Sequence, residues 1–315
     1  MNKLIKVVAA PVCAVSLSAV AAEDVSETAD KAAAEAAEEE ATPLFEAGFD
    51  FDFLSAYVWR NAVQTDELVM QPCVWADLTA LDPFWVGFSI WQNYGLTDRR
   101  RDVYRHGLDE TDYNVHLGVT AWASEDEDWS LDLEVGHDWY AYQGVRADER
   151  DGSPDTREVY AKATLANPFV DVYGQASYMY GDFGDYLKAM HYEIGFTKEV
   201  ALSDALTLGA DWNVNFGDGR YLSFLYGDVD PVYDPVEDDW LTDGPKGGIG
   251  GTTVKVYLTY AITDWLQVGA TIAYTGILNG DLREATHTLG SDAWYGSDSY
   301  PRDLLWGGLS LKLSY

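Results

Sequence analysis

From about residue 47 to the C-terminus, apolar and polar residues alternate with a period of two. In 113–123, Tyr113, Val115, Leu117, Val119, Ala121 and Ala123 share one face, and Asp112, Asn114, His116, Gly118 and Thr120 share the other. In 206–216 the apolar face is Leu206, Leu208, Ala210, Trp212, Val214 and Phe216, opposed by Thr207, Gly209, Asp211, Asn213 and Asn215. The last segment repeats the pattern with Leu305, Leu309, Leu311, Leu313 and Tyr315. Such alternation places successive side chains on opposite faces of a strand, one apolar and one polar. It predicts twelve strands, at about 47–60, 69–81, 84–95, 111–123, 129–142, 157–166, 169–180, 189–200, 206–216, 252–262, 265–276 and 303–315. Their connections alternate between short ones, such as Asp82-Pro83, Asn167-Pro168 and Thr263-Asp264, and longer ones at 61–68, 96–110, 143–156, 181–188, 217–251 and 277–302.

A secreted β-sandwich would also alternate. Three features favour lipid on the apolar face instead. Short turns alternating with long loops are the pattern of a membrane barrel's two rims. Aromatics gather at predicted strand ends (Tyr57, Trp59, Phe84, Trp85, Tyr94, Trp129, Trp139, Tyr178, Tyr180, Trp265), as interfacial girdles require. The chain also ends on Leu309-Ser-Leu-Lys-Leu-Ser-Tyr315, which resembles the C-terminal assembly signal of bacterial outer-membrane barrels. The expected fold is therefore all-β: a transmembrane antiparallel up-and-down β-barrel of about 12 strands, with both termini at the periplasmic rim. Outer-membrane lipid, and the barrel-assembly machinery acting on the C-terminal strand, are the implied partners.

Composition narrows the function. Lys and Arg number 20 against 53 Asp and Glu, a formal charge of −33, which excludes nucleic acid as a partner. Beyond the N-terminus no apolar run reaches the ~20 residues of a spanning helix. At the N-terminus, Lys3 and Lys6 precede an apolar stretch from Val7 to Val20, and the small residues at Ala19–Ala22 suit signal-peptidase cleavage. Residues 1–22 thus read as a signal peptide for export to the bacterial outer membrane. Residues 23–46 carry nine acids and one Lys without an apolar stripe, and read as an acidic periplasmic tether. The barrel domain is 47–315.

Ser55-Ala-Tyr57-Val-Trp59-Arg60, followed by Gln64-Thr65-Asp66 and Gln71-Pro72, resembles the first hairpin of the TorF-type porin family. In that family a Tyr-x-aromatic-Arg-Gly strand end precedes a short polar loop and a second strand. Here Asn61 stands where the family has Gly. The resemblance spans about 25 residues of the sequence and implies an outer-membrane channel, with no catalytic residues carried over.

With the apolar face assigned to lipid, the polar face becomes the lumen. It carries Asp50, Asp52, Asp77, Asp112, Asp132, Glu134, Asp138, Glu158, Asp171, Glu193, Glu199 and Asp211, against Arg60, Lys162, Lys255 and Lys312. A lumen dominated by one sign concentrates counter-ions and selects by charge. Asp112, Asp132, Glu134, Glu158, Asp211, Arg60, Lys162 and Lys255 are the candidate selectivity residues. Trp75, Trp85, Trp91, Trp122, Tyr140, Tyr160, Tyr173, Tyr257 and Trp306 share the inner parity. In a twelve-stranded barrel, narrower than a general porin, they predict a restricted or plugged pore.

Loop 217–251 is strongly acidic. Asp228, Asp230 and Asp234 are oxygen donors of the kind Ca²⁺ takes, but their spacing lacks the third ligand and Gly of an EF-hand, and a solvated loop is the plainer reading. Arg99, Arg100, Arg101 and Arg105 suit either lipid phosphate or water. No histidine sits in a pattern that would activate a serine, so no enzyme is expected, and no cofactor. Two classes of function remain: a channel for small solutes, cation-preferring, or a structural or surface-interaction barrel with a closed lumen and acidic outer loops.

Overall fold

The computed structural model describes residues 45–96, 107–125, 128–142, 155–181, 188–226, 232–234, 239–241, 247–280, 282–283 and 303–315. The signal peptide and tether readings fall outside them, apart from Phe45 and Glu46, as do Arg99, Arg100, Arg101 and Arg105. Among the described residues, no helix is long and apolar enough to cross a membrane.

The strands of the wall are β1 (Glu46–Leu54), β4 (Val69–Leu81), β5 (Phe84–Gly95), β6 (Gly107–Ala123), β7 (Ser130–Tyr142), β8 (Thr156–Ala166), β9 (Asp171–Gly181), β10 (Ala189–Ser203), β11 (Leu206–Gly217), β14 (Gly248–Thr263), β15 (Leu266–Ile277) and β16 (Asp303–Ser314). Two short hairpins lie off the wall, β2 (Tyr57–Trp59) with β3 (Ala62–Thr65), and β12 (Val232–Asp234) with β13 (Asp239–Leu241). Among the described residues, helix α1 spans Gly219–Tyr226.

The wall strands form a closed antiparallel barrel of twelve, in the order β1, β16, β15, β14, β11, β10, β9, β8, β7, β6, β5, β4. The first and last strands close it, with Phe51 opposite Leu311 and Phe53 opposite Leu309. Backbone bonds between Ala47 and Tyr315, at 2.9 and 3.1 Å, bring both described ends to one rim. The short turns are at this rim too. At one of them Asn167 closes the connection locally, its Oδ1 accepting from the amides of Phe169 (3.0 Å) and Val170 (3.1 Å).

Outward side chains are apolar and exposed along whole strands: Val115 and Leu117, Leu133 and Val135, Val256 and Leu258, Leu305 and Leu309. Val135, mid-strand, is 54% exposed and Leu309 63%, while Glu134 next to Val135 is 7%. A surface this apolar is tolerated in hydrocarbon and not in water. The architecture is that of a transmembrane barrel, its sheet hydrogen-bonded all the way round.

Three expectations are corrected. The segment 47–60 is not one strand. It leaves the wall after Leu54, and Tyr57 and Trp59, expected in an interfacial girdle, pack inside the barrel instead. Trp122 does not face the lumen. The β6–β7 register slips between Thr120 and Trp122, so that Trp122 opposes the outward Leu131 and stands 51% exposed. One extra residue in a strand reverses the parity of everything after it. Loop 217–251 also contains structure of its own, α1 and the β12–β13 pair.

Candidate functional site

The inner wall is built from a repeated pairing of glycine and aromatic. Trp75 lies opposite Gly48, Trp85 opposite Gly118, Tyr160 opposite Gly136, Tyr173 opposite Gly195 and Tyr257 opposite Gly209. In each pair the ring fills the space a Cβ on the glycine would need, with ring atoms 2.0–2.6 Å from that position. The rings are therefore stowed against the wall, covering backbone on the neighbouring strand.

The hydroxyls of these rings hold carboxylates. Tyr160 donates to Glu134 (2.8 Å), Tyr173 to Glu193 (2.6 Å) and Tyr257 to Glu199 (2.8 Å). Asp132 accepts from Thr120 Oγ1 at 2.7 Å, and Asp138 from Asn114 Nδ2 at 2.7 Å. All of these donors are neutral groups, and they fix the acids in place.

The cations are placed unevenly. Lys255 pairs with Asp211 at 2.5 Å, directly across β11 and β14. Lys162 opposes Glu134 in the β7–β8 register, its Nζ 5.3 Å from the centre of the Tyr173 ring. Lys312 opposes Asp50. His116 lies between Asn114 (2.8 Å) and Asp77 (3.3 Å). Asp112 sits opposite Tyr140 with a buried Oδ1 that has no hydrogen-bond partner.

Arg60 is not on the wall. It stands at the turn of the β2–β3 hairpin, where Arg60 and Asn61 have φ of 49° and 64°. Two consecutive left-handed residues make the tight turn whose twist suits a two-residue hairpin, and Asn is well suited to that conformation. The hairpin emerges between β1 and β4 yet reaches around the barrel. Tyr57 donates to Glu110 on β6 (2.9 Å), Arg60 binds Glu158 on β8, and Asn61 donates to the Gly251 carbonyl on β14 (3.1 Å). Asn215 on β11 donates to the Arg60 carbonyl at 2.5 Å. Contacts with so many separate strands require the hairpin to lie across the lumen.

Helix α1 completes the filling. Asp218 caps it, accepting from the Tyr221 amide at 2.8 Å while its other oxygen accepts from the Met190 amide at 2.9 Å. Tyr221, Leu222 and Tyr226 then pack with Ala62, Met179, Ala189, Ile277 and Leu282, all at most 5% exposed. Burial raises the Tyr221 and Tyr226 phenols well above their ordinary range, so both remain neutral hydroxyls. Gly250 and Gly251 admit this packing, since a Cβ on Gly251 would come within 2.8 Å of the Tyr226 hydroxyl and 3.0 Å of Asn61.

The lumen parity expected from sequence thus brings together Arg60 and Glu158, Lys162 and Glu134, and Lys255 and Asp211. Sequence reasoning missed Glu110, placed in a loop although β6 begins at Gly107, and α1, whose Tyr221, Leu222, Leu225 and Tyr226 already formed a helical stripe. Asp228 and Asp230 lie outside the described residues, and Asp234 stands on β12 opposite Asp239. Among the described residues no three His, Cys, Asp or Glu side chains converge as metal ligands.

No protein-family model matches the chain, and no curated protein matches it. Among solved structures it is similar to an outer membrane channel from Pseudomonas putida F1, with a TM-score of 0.47 and 11% identity, covering 87% of this chain and 97% of that one. It is similar also to the Salmonella typhi outer membrane phospholipase dimer with bound calcium (TM-score 0.41, 14% identity, 85% of this chain and 90% of that one). A third is the KdgM porin (TM-score 0.41, 7% identity, 86% and 99%). Likeness at this level assigns no function, and the barrel is established by this chain's own strand pairing.

Proposed function

We propose that the protein is a narrow, cation-preferring channel for small solutes in the bacterial outer membrane, of the TorF-type porin class. The observation that carries this is the imbalance of charge on the inner face. Asp132, Glu193 and Glu199 are held by neutral hydroxyls, while cations face Glu134, Glu158 and Asp211. Fixed carboxylates in a confined, low-dielectric passage raise the local cation concentration and repel anions. Among the described histidines, His116 meets Asn114 and Asp77, His137 meets Tyr180, and His191 stacks on Tyr221.

The test is the reversal potential of the reconstituted protein in a salt gradient across a planar bilayer. Cation preference is expected, strongest at low ionic strength where screening is weakest. Asp132→Asn, Glu134→Gln and Asp211→Asn together should move the reversal potential towards anion permeation. A value near zero in the parent, unmoved by the triple variant, refutes the selectivity.

A second reading rests on the packed hairpin and helix, which fill the lumen at the loop end. In it the barrel is closed and its acidic loops are the working part. Absence of any conductance would select it.

A further inference from the structure

The side chains that receive Arg60 belong to other elements. Glu158 on β8 takes both guanidinium nitrogens, Oε2 accepting from Nη1 at 2.7 Å and Oε1 from Nη2. Tyr221 on α1 and Tyr140 on β7 each accept from one of the same nitrogens at 3.2 Å. The Trp59 ring lies 4.7 Å beneath the guanidinium carbon. A planar fork matched by a bidentate carboxylate, with hydroxyl acceptors at its edges and an aromatic face below, is the recognition geometry of guanidinium and not of a point-charge ammonium. Glu158 is 0% exposed, so the carboxylate needs a cation wherever the hairpin is.

The hairpin is held in the lumen by side-chain bonds rather than by the sheet: Tyr57 to Glu110, Arg60 to Glu158 and Asn61 to the Gly251 carbonyl. Among the described residues, β2 and β3 pair only with each other, and the backbone bonds flanking them are Ser55 with Gly307 and Leu68 with Leu96. Arg60 also occupies left-handed backbone, at φ 49°, where an unbranched long side chain is a costly choice unless its head group is needed. His191 lies beside the site, its ring 4.7 Å from that of Tyr221, buried and with neither ring nitrogen hydrogen-bonded. It is an unused polar group of the kind that calls for explanation.

We propose that Glu158, Tyr140 and Tyr221 form a guanidinium-binding site that Arg60 occupies in cis, so that the β2–β3 hairpin is a plug released when a guanidinium-bearing solute takes its place. Glu158 and Tyr140 are on the barrel wall and stay in place when the hairpin withdraws, while the Trp59 ring leaves with it and Tyr221 is on α1, which also packs on Ala62. His191 supplies a polar contact for the remainder of the solute. The inference deepens the channel reading by naming the solute class, and it rests on that reading only for the passage of solute once the plug has been released.

Plug position can be read without conduction. Ala62, buried beside Arg60, is replaced by Cys in a Cys73→Ser background, and the reconstituted protein is treated with a membrane-impermeant maleimide. L-arginine is expected to speed labelling in a saturable manner, while L-lysine at equal concentration leaves it unchanged. Arg60→Ala in the same background should label at least about tenfold faster without any solute, as loss of a buried ion pair implies. Guanidinium chloride at millimolar concentration should raise the unfolding temperature of Arg60→Ala, and adding Glu158→Gln should abolish that rise. Equal effects of arginine and lysine on the Ala62→Cys protein, which needs no change at the site, would overturn the proposal, as would labelling indifferent to both. Faster labelling with arginine but no conductance would uphold the site and refute the channel.

Discussion

Glycine on the inner face of this barrel is a packing partner, and its value depends on which way it points. Gly136 lies under Tyr160, where a Cβ would come within 2.4 Å of the ring and displace the hydroxyl that holds Glu134. Gly174 faces outward, and the nearest atom to a Cβ there is 4.0 Å away. Gly136→Ala should destabilise the barrel by about 1–3 kcal/mol through overpacking. Gly174→Ala should be neutral or stabilising by roughly 0.5–1 kcal/mol, because it removes backbone freedom from the unfolded chain at no steric cost. Urea unfolding of the two variants in micelles compares them, and equal losses would show that the rings are not wedged over their glycines.

At the scale of the element, the bulge in β6 decides where a large ring goes. Strict alternation would send Trp122 inward, into a lumen already lined by stowed aromatics. The slipped register turns it out towards the acyl chains near the short-turn rim, where an indole is at home. Brominated lipids should therefore quench part of the protein's tryptophan emission, and Trp122→Phe should shrink the quenchable fraction. Trp91→Phe should leave that fraction unchanged, since Trp91 is buried against Tyr57. If the Trp122 variant is quenched as fully as the parent, the outward placement fails.

For the whole molecule, the closure between β1 and β16 separates a barrel from a sandwich. Phe51 and Leu311 face each other across it, 260 residues apart in sequence. Opposed residues in an antiparallel pair sit about 4.5–5.5 Å apart, within reach of a disulfide. Phe51→Cys with Leu311→Cys should cross-link on oxidation of the folded protein and raise its unfolding midpoint. Absence of the cross-link under conditions that oxidise a surface control pair would open the barrel at this seam. Closure also explains the plug. A twelve-stranded wall leaves a lumen too wide for wall side chains alone to fill and too narrow for a wide aqueous pore, and the first long connection folds into that space.

The sequence by itself determined the twelve strands of the wall, the face that meets lipid and the excess of acids over bases on the inner face. Each of these comes from local chemistry: a period of two assigns faces, and carboxylates at the inner positions stay inner wherever the register is regular. Asp211 and Lys255 or Glu134 and Lys162 were legible as inner residues for that reason. Their pairing was not, because cross-strand partners are set by turn lengths and bulges accumulated around the barrel. Arg60 marks the limit most sharply. Its strand-end motif was visible, but its partner Glu158 lies 98 residues away, on a strand nearly across the lumen. Alternation alone misplaces Trp122, because one extra residue inverts parity without leaving a local signal. Only the closed tertiary structure could decide these points, since closure fixes which strands face one another and how much space is left between them.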